Sequence, residues 1–282
     1  QFPADEYKIP HHRQYLLVSS NYMKDRYKLN LFYSGKENAP DYLNVQEITQ
    51  DVYSATELCI VTLAMDFPAG TSSKHRKELE SRWIDLLPQL DFVKTLSIRH
   101  RVSQDFFEAV CKMKNLEYLH FWTSTTEDIS SISKLQNLYR LDLDSFSRLI
   151  DIRPILTLTN LQLLSIENSF KIENYDIIGK MTQLIGLRLG GSTFAPKNLR
   201  LKSLTPFSNL KNLKHLDMRT LSVIDNSYEI ILELENLERF DITVTIPKPI
   251  RDRIKNAHKC LKAGFFMDWD NENKKFYDGK EW

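Results

Sequence analysis

The sequence predicts an α/β solenoid in which a curved parallel β-sheet lines the concave side and short helices and 3-10 turns form the convex side. Three observations support this prediction. A short apolar motif recurs along the chain, its copies are almost evenly spaced, and a second apolar series precedes each copy at steps of three residues. Segments of different composition at both ends are expected to cap the array.

The recurring motif reads L-x-x-L-x-L and occurs six times in register. Its apolar positions are Leu116, Leu119 and Phe121; Leu138, Leu141 and Leu143; Leu161, Leu164 and Ile166; Leu184, Leu187 and Leu189; Leu213, Leu216 and Met218; and Leu237, Phe240 and Ile242. The first positions are separated by 22, 23, 23, 29 and 24 residues. This is the period of leucine-rich repeats, and the longer step indicates an insertion around residues 194–202.

Two further units are predicted upstream. Val93, Leu96 and Ile98 continue the motif, and Leu58, Val61 and Leu63 match it at a wider spacing. The wider gap contains an amphipathic stretch from Ser73 to Leu87, for which we predict a helix that begins at Ser72 or Ser73. We therefore assign residues 1–56 to an N-terminal cap, 57–245 to the repeats, with clear units from about residue 90, and 246–282 to a C-terminal cap.

The apolar residues upstream of each strand predict a tight turn on the convex side. Ile129, Ile132 and Leu135 lead to Leu138 at steps of three, which fits a 3-10 turn. The whole layout from Ile129 to Leu143 resembles the bacterial internalin-like class of leucine-rich-repeat proteins, over roughly residues 90–245. The resemblance implies the solenoid fold and favours a bacterial protein-binding module.

The chain departs from that class in its asparagines. The position three residues beyond the last motif residue, usually asparagine, holds Ser124, Phe146, Ser169, Ser192, Leu221 and Thr245, from which we expect a looser ladder of hydrogen bonds. Another set lies just before each strand: Asn115, Asn137, Asn160, Gln183, Asn212 and Asn236. We expect this second set to bond backbone groups of the turns.

Each end of the chain is expected to cover an exposed face of the array. The segments 14–19 and 28–33 are interpreted as short strands of the N-terminal cap. At the other end, Phe265 to Trp269 and Lys274 to Tyr277 suggest a hairpin, with Trp269, Phe276 and Trp282 as its core or as a docking surface. The basic segment from Lys248 to Lys262 is interpreted as a solvated helix face.

Alternation along each strand sends the residues between and beside the motif positions to the concave face. Arginine and large aromatic residues are the types enriched at the centres of protein interfaces. An alternative is that opposite charges on neighbouring strands only neutralise one another. The partner-binding candidates on this face are Tyr118, His120, Trp122, Arg140, Asp142, Asp144, Glu167, Arg188, His215, Asp217, Arg219 and Arg239.

Composition narrows the function further. The 38 basic and 37 acidic residues give a formal charge of +1, which provides no long-range attraction for nucleic acid or an anionic membrane. No apolar run is long enough for a membrane span.

Three separated cysteines, Cys59, Cys111 and Cys260, favour a reducing compartment, so we expect a cytoplasmic protein. Because the chain begins with Gln1, removal of an export signal stays an alternative.

These observations favour a non-catalytic module that binds another protein and needs no cofactor or metal. It would serve as a host-interaction or toxin-neutralising protein. The alternatives are a metal-dependent or acid-base enzyme that uses His120, Asp142 and Asp144, and a purely structural scaffold. No phosphate-binding glycine loop and no HExxH or GxSxG motif is present in the sequence.

Overall fold

The computed structural model describes residues 42–61, 71–192 and 197–267. Within these ranges the main sheet has nine parallel strands that follow one another in chain order, and two further strands form a small separate sheet. The strands are β1 (Leu43–Val45), β2 (Glu57–Ile60), β3 (Thr95–Val102), β4 (Tyr118–Ser124), β5 (Arg140–Asp144), β6 (Leu163–Glu167), β7 (Gly186–Gly190), β8 (Leu199–Leu201), β9 (His215–Met218), β10 (Leu221–Val223) and β11 (Arg239–Ile242).

Helices and 3-10 turns connect the strands on the opposite side. The helices are α1 (Ser73–Leu86), α2 (Gln104–Val110) and α3 (Lys248–Ala257). The 3-10 turns between strands are Gln50–Tyr53, Leu87–Gln89, Ser130–Lys134, Arg153–Thr157, Tyr175–Lys180, Thr205–Asn209 and Tyr228–Glu233. The predicted helix upstream of the repeats is confirmed as α1, whose N-cap Ser72 accepts a hydrogen bond from the His75 amide.

The chain is therefore a leucine-rich-repeat solenoid, as the motif predicted. In each clear repeat the three motif residues are buried in one continuous core, with exposures between 0 and 2% for the motif leucines of β4 to β7 and of β9. Neighbouring strands pair so that equivalent motif positions lie side by side, for example Leu119 with Leu141 and Leu141 with Leu164. Burial of one face fixes the register, because a shift by one residue would expose every motif residue.

The first unit differs from the sequence prediction. Leu58 pairs with Leu96 and Ile60 with Ile98, so Leu58 occupies the second motif position rather than the first. The predicted alignment of Leu58, Val61 and Leu63 was wrong by three residues, because Leu58 and Ile60 already supply the two buried strand positions. One more strand, β1, lies inside the range assigned to the N-terminal cap and pairs with β2.

The residues before each strand bond the coils to one another, as expected. The side-chain amides of Asn115, Asn137 and Asn160 donate to carbonyls of the preceding coil, at Asp91 (2.8 Å), Lys114 (3.0 Å) and Gln136 (2.8 Å). The same contact is made by Gln183 to Leu158, Asn212 to Thr182 and Asn236 to Lys211. Six equivalent bonds thus form one ladder along the solenoid.

The position beyond each strand is better bonded than the sequence suggested. Ser124 donates to the Val102 carbonyl at 3.0 Å, and the Ser169 hydroxyl accepts from the Phe146 amide at 3.0 Å. Phe146 itself packs edge-on against Phe121, with ring centroids 5.8 Å apart. The expected looser ladder was therefore wrong at Ser124 and Ser169, whose short hydroxyls reach neighbouring backbone. At Phe146 a buried ring stands where the polar contact would lie, as the prediction implies.

The insertion and the ends complete the described fold. The insertion supplies β8, which pairs with β10 beside the main sheet, while β7 pairs directly with β9. The basic segment forms α3, whose Arg253 pairs with Glu229 at 2.8 Å on the surface. The predicted terminal strands at 14–19 and 28–33, and the hairpin beyond residue 267, lie outside the described residues. No helix within the described ranges is long and apolar enough to cross a membrane.

Candidate partner-binding face

The concave face carries three columns of side chains that run across the strands. The first column is Thr95, Tyr118, Arg140, Leu163, Gly186, His215 and Arg239. The second column is Ser97, His120, Asp142, Ser165, Arg188, Asp217 and Asp241. The third column is Arg99, Trp122, Asp144, Glu167, Gly190, Arg219 and Thr243. Strand pairing places consecutive members of the first two columns side by side, so the predicted register is confirmed there.

The columns differ in accessibility. The charged members of the first two columns are buried: Arg140 is 0% exposed, Arg188 3% and Arg239 1%. In the third column the side chains of Glu167 and Arg219 are 19% and 20% exposed, and Trp122 and Asp144 are also partly exposed. The sequence pattern places all of these residues on one face but does not distinguish the buried columns from the accessible one.

One buried cluster joins Tyr118, Arg140 and Asp142. Arg140 donates to the Asp142 carboxylate through Nε at 3.1 Å and through a terminal nitrogen at 2.7 Å. The Tyr118 hydroxyl donates to the same carboxylate at 2.9 Å, and the Arg140 guanidinium lies 4.7 Å from the centre of the Tyr118 ring. Such a buried charge pair is stable only while every member keeps its partners.

His120 lies beside this cluster and is fully buried. Its Nδ1 is 3.3 Å from the Ser97 hydroxyl, and its ring packs 5.5 Å from Trp122. Burial lowers the pKa of His120 to about 3, and the nearby arginines favour the same neutral form against the opposing charge of Asp142. His120 is therefore uncharged at neutral pH, and its ring packs against Trp122.

A second cluster centres on Asp217. It accepts from Arg188 Nε at 3.0 Å and from a terminal nitrogen of Arg219 at 2.8 Å. Arg188 also lies 3.7 Å from Glu167, which links β6, β7 and β9. Burial raises the pKa of Glu167 despite the lowering influence of Arg188. The charges of Glu167, Arg188 and Asp217 thus alternate in sign across β6, β7 and β9.

A third cluster closes the face at β11. Asp241 accepts from Arg239 Nε at 2.6 Å and lies 3.1 Å from His215 Nε2. Its other oxygen accepts from the Phe265 amide at 3.0 Å. Burial alone would raise the pKa of Asp241, but the His215 hydrogen bond and the Arg239 charge bring it below its usual value. Burial lowers the pKa of His215 despite the nearby carboxylate.

The metal-enzyme alternative would require several metal ligands that lie close together on this face. Asp142 is bound by Arg140 and Tyr118, whereas Asp144 accepts from the Ser145 hydroxyl at 2.6 Å. Among the residues that the structure describes, no group of three or more histidine, cysteine or acidic side chains could hold a metal ion. The side chains of His120, Asp142 and Asp144 are thus held by different neighbours.

Two arginines were missing from the candidates. Strand β3 contains a bulge, so that its pairing with β4 passes from Ile98 opposite Phe121 to Arg101 opposite Thr123. Arg99 lies over the Trp122 ring, 5.0 Å from its centre, and Arg101 is exposed. The sequence predicts strict alternation along a strand, which a bulge interrupts, so the motif gave no signal for Arg101.

Comparisons with known proteins give similar solved structures but no relative by sequence. No protein-family model and no curated protein matches the chain. Solved structures similar to it include internalin C2 of Listeria monocytogenes, with 20% identity over 63% of this chain and 73% of that one and a TM-score of 0.48. The internalin InlF of the same species gives 15% identity over 63% and 75%, with a TM-score of 0.33.

Proposed function

We propose that this protein is a non-catalytic module that binds a partner protein on its concave face, chiefly through the third column. The observation that carries the proposal is the arrangement of that column. Trp122, Asp144 and Glu167 lie on three consecutive strands, and Arg219 follows β9 on the same face. All four remain partly exposed, and the first two columns beside them contain buried ion pairs.

This arrangement suits recognition for a physical reason. Buried ion pairs hold the strands and the bases of the side chains in fixed positions, so less side-chain entropy is lost when a partner docks. Trp122 and the arginines are residue types that dominate binding energies when a partner excludes water from them. The buried candidates Tyr118, Arg140, Asp142, Arg188, His215, Asp217 and Arg239 would then act as the support of the face.

The proposal is tested with a variant that changes only the accessible column. Trp122→Ala, Asp144→Lys and Arg219→Glu are combined, and a control variant combines Lys134→Glu and Lys180→Glu, which lie exposed on the convex turns. Both proteins and the wild type are immobilised for quantitative affinity purification from the native cell. Circular dichroism and thermal unfolding first establish that both variants fold.

Proteins retained by the wild type and the convex control, but lost from the third-column variant, are the expected result. Identical retention by all three proteins would refute binding through this column. Loss with the convex control alone would place the interface on the opposite side.

We further propose that the protein acts in a reducing compartment such as the cytoplasm, as a host-interaction or toxin-neutralising protein. Support for the compartment comes from the three cysteines, which form no disulfide although Cys260 is exposed. Support for the role comes from the resemblance of the repeat motif to the internalin-like class. Cell fractionation followed by immunoblotting tests the location, and identification of the partner tests the role.

A further inference from the structure

We propose that Arg99, Arg101 and Trp122 form a docking site for an acidic segment of the partner protein, in which a carboxylate side chain lies next to an apolar one. The inference rests on the proposed function and specifies the chemistry of the partner. It depends on three features at this end of the concave face: two arginines that form no ion pair with a described residue, a partly exposed aromatic ring beneath one of them, and a strand bulge.

The two arginines are the first feature. Neither Arg99 nor Arg101 lies within ion-pair distance of an acidic side chain in the described part of the chain, whereas Arg140, Arg188, Arg219 and Arg239 on the same sheet all do. The Nε of Arg99 is buried and has no hydrogen-bond partner among the residues that the structure describes. A buried donor without a partner is costly, so the site leaves bonding capacity unused. An incoming carboxylate would accept charge-assisted hydrogen bonds from the terminal guanidinium nitrogens.

Trp122 supplies the apolar part of the site. Its ring is partly exposed, with Arg99 on it at 5.0 Å and the His120 ring packed 5.5 Å away. His120 is fully buried and neutral, so it supports Trp122 without adding charge. A partner segment would therefore gain charge-assisted hydrogen bonds to Arg99 and apolar contact with Trp122 at the same point.

The bulge brings these groups together. One residue of β4, Trp122, lies opposite two residues of β3, Arg99 and His100. The extra residue places Arg101 opposite Thr123, the residue that follows Trp122 on β4, while Arg99 lies over the Trp122 ring. His100 is directed elsewhere, 3.6 Å from Glu80 and 5.9 Å from the Phe106 ring. Bulges of this kind commonly redirect side chains at functional sites.

A protein segment fits this site better than a nucleic acid. Arginine and tryptophan can also hold a phosphate and a stacked base. However, Asp144 and Glu167 follow Trp122 on the next two strands, where a continuing phosphate backbone would meet negative charge. The net charge of +1 adds no general attraction for polyanions. A peptide can place its carboxylate at the arginines and a basic side chain at Asp144 and Glu167.

Fluorescence anisotropy with labelled probes tests the inference. The probes are a twelve-residue peptide of glutamate alternating with phenylalanine and glycine, a copy with lysine in place of glutamate, and a single-stranded oligothymidine. The proteins are the wild type, Arg99→Ala/Arg101→Ala, and a matched control, Arg200→Ala/Lys202→Ala, whose positions are exposed in and after β8. Thermal unfolding of each variant establishes its folding.

We expect the acidic peptide to bind the wild type and the control equally, and to bind Arg99→Ala/Arg101→Ala at least about tenfold more weakly. The lysine peptide should not bind at these arginines. The inference is overturned if the acidic peptide fails to bind, if its affinity does not depend on the two arginines, or if oligothymidine binds through them more tightly.

The same arginine variant separates this inference from the proposed function. In the affinity purification, a partner that is lost from the third-column variant but kept by Arg99→Ala/Arg101→Ala would leave concave binding intact and reject the acidic docking site. A partner retained by both variants would reject the two proposals together. Loss from both variants is the result that we expect.

Discussion

At the scale of single residues, the buried pair of Arg140 and Asp142 shows how charge is accommodated inside this solenoid. The guanidinium contacts the carboxylate through two nitrogens and stacks on Tyr118, and neither charged side chain is more than 3% exposed. A charge left alone at such a position cannot recover its hydration. The contribution of the pair to the free energy of unfolding is therefore measured mainly when one of the two partners is replaced.

Replacement of Arg140 by methionine should lower the free energy of unfolding by about 3–5 kcal/mol, because Asp142 would be left buried and unpaired. The double variant Arg140→Met/Asp142→Leu should recover most of this loss. Urea denaturation provides the measurement. Arg153→Met is the matched control, since Arg153 and Asp151 have the same sequence separation and a 2.6 Å contact but lie at the surface, and we expect no measurable change.

Acidification should destabilise the fold through His120. Its pKa is about 3 in the folded protein and near 6.5 in the unfolded chain, so below pH 6.5 only the unfolded chain gains the proton. The contribution of neutral His120 to the free energy of unfolding is fully present above pH 6.5. It is lost as the pH falls, and the loss is on the order of 2 kcal/mol by pH 5. The free energy of unfolding, measured by urea denaturation, should depend less steeply on pH in His120→Gln than in the wild type.

The exposed His75 provides the control for that measurement. His75→Gln should keep the wild-type dependence of stability on pH. An unchanged dependence in His120→Gln would show that the burial of His120 does not govern acid sensitivity. His215, whose pKa burial also lowers, would then become the residue to replace.

At the scale of elements, the asparagine ladder connects the turns of neighbouring coils. Each amide reaches a backbone carbonyl of the preceding coil, as in the bond from Asn160 to Gln136 at 2.8 Å. The same residue type recurs because the geometry of each coil repeats. The ladder thus adds the same small contribution at every step.

Loss of one ladder bond should lower the free energy of unfolding by about 1 kcal/mol, since the freed carbonyl lies near the surface. We expect this for Asn137→Ala and Asn160→Ala, and roughly twice the effect for the double variant, measured by urea denaturation. Thr159→Ala is the control, because Thr159 is exposed and adjacent to Asn160. An equal loss from Thr159→Ala would assign the effect to turn conformation instead.

The sequence predicted the strands well because each motif residue is buried and periodic. It aligned Leu119, Leu141 and Leu164 in the register that the sheet shows. Prediction failed where periodicity carries no information. Two features depend on pairing with a neighbouring strand. They are the bulge that determines the position of Arg101, and the place of Leu58 at the second motif position instead of the first. Burial of Arg140 depends on contacts from several coils, which a local pattern does not encode.

At the scale of the whole molecule, a row of phenylalanine rings connects successive coils inside the core. Phe107 lies 5.4 Å from Phe121, and Phe121 lies 5.8 Å from Phe146, measured between ring centres. All three side chains are fully buried. Since coils of a solenoid contact mainly their neighbours, such shared contacts determine how far the structure unfolds as one unit.

Phe121→Ala should destabilise the protein by about 3–5 kcal/mol, because it removes a ring that packs on two others. We also expect the urea transition to broaden, since the coils on either side would lose part of their coupling. Phe121→Leu, which keeps most of the buried volume, should cost less and leave the slope of the transition unchanged. A sharp transition in Phe121→Ala would mean that other contacts maintain the cooperativity.

The placement of β8 has a consequence for how this protein can diversify. Because β7 pairs directly with β9, the residues inserted between them form their small sheet with β10 beside the main one. The length of a coil can therefore change without a change in the spacing of the strands in the main sheet. Mutation can lengthen or shorten that side of the molecule over generations while the concave face keeps its geometry, so new loops can arise there without disturbing that face.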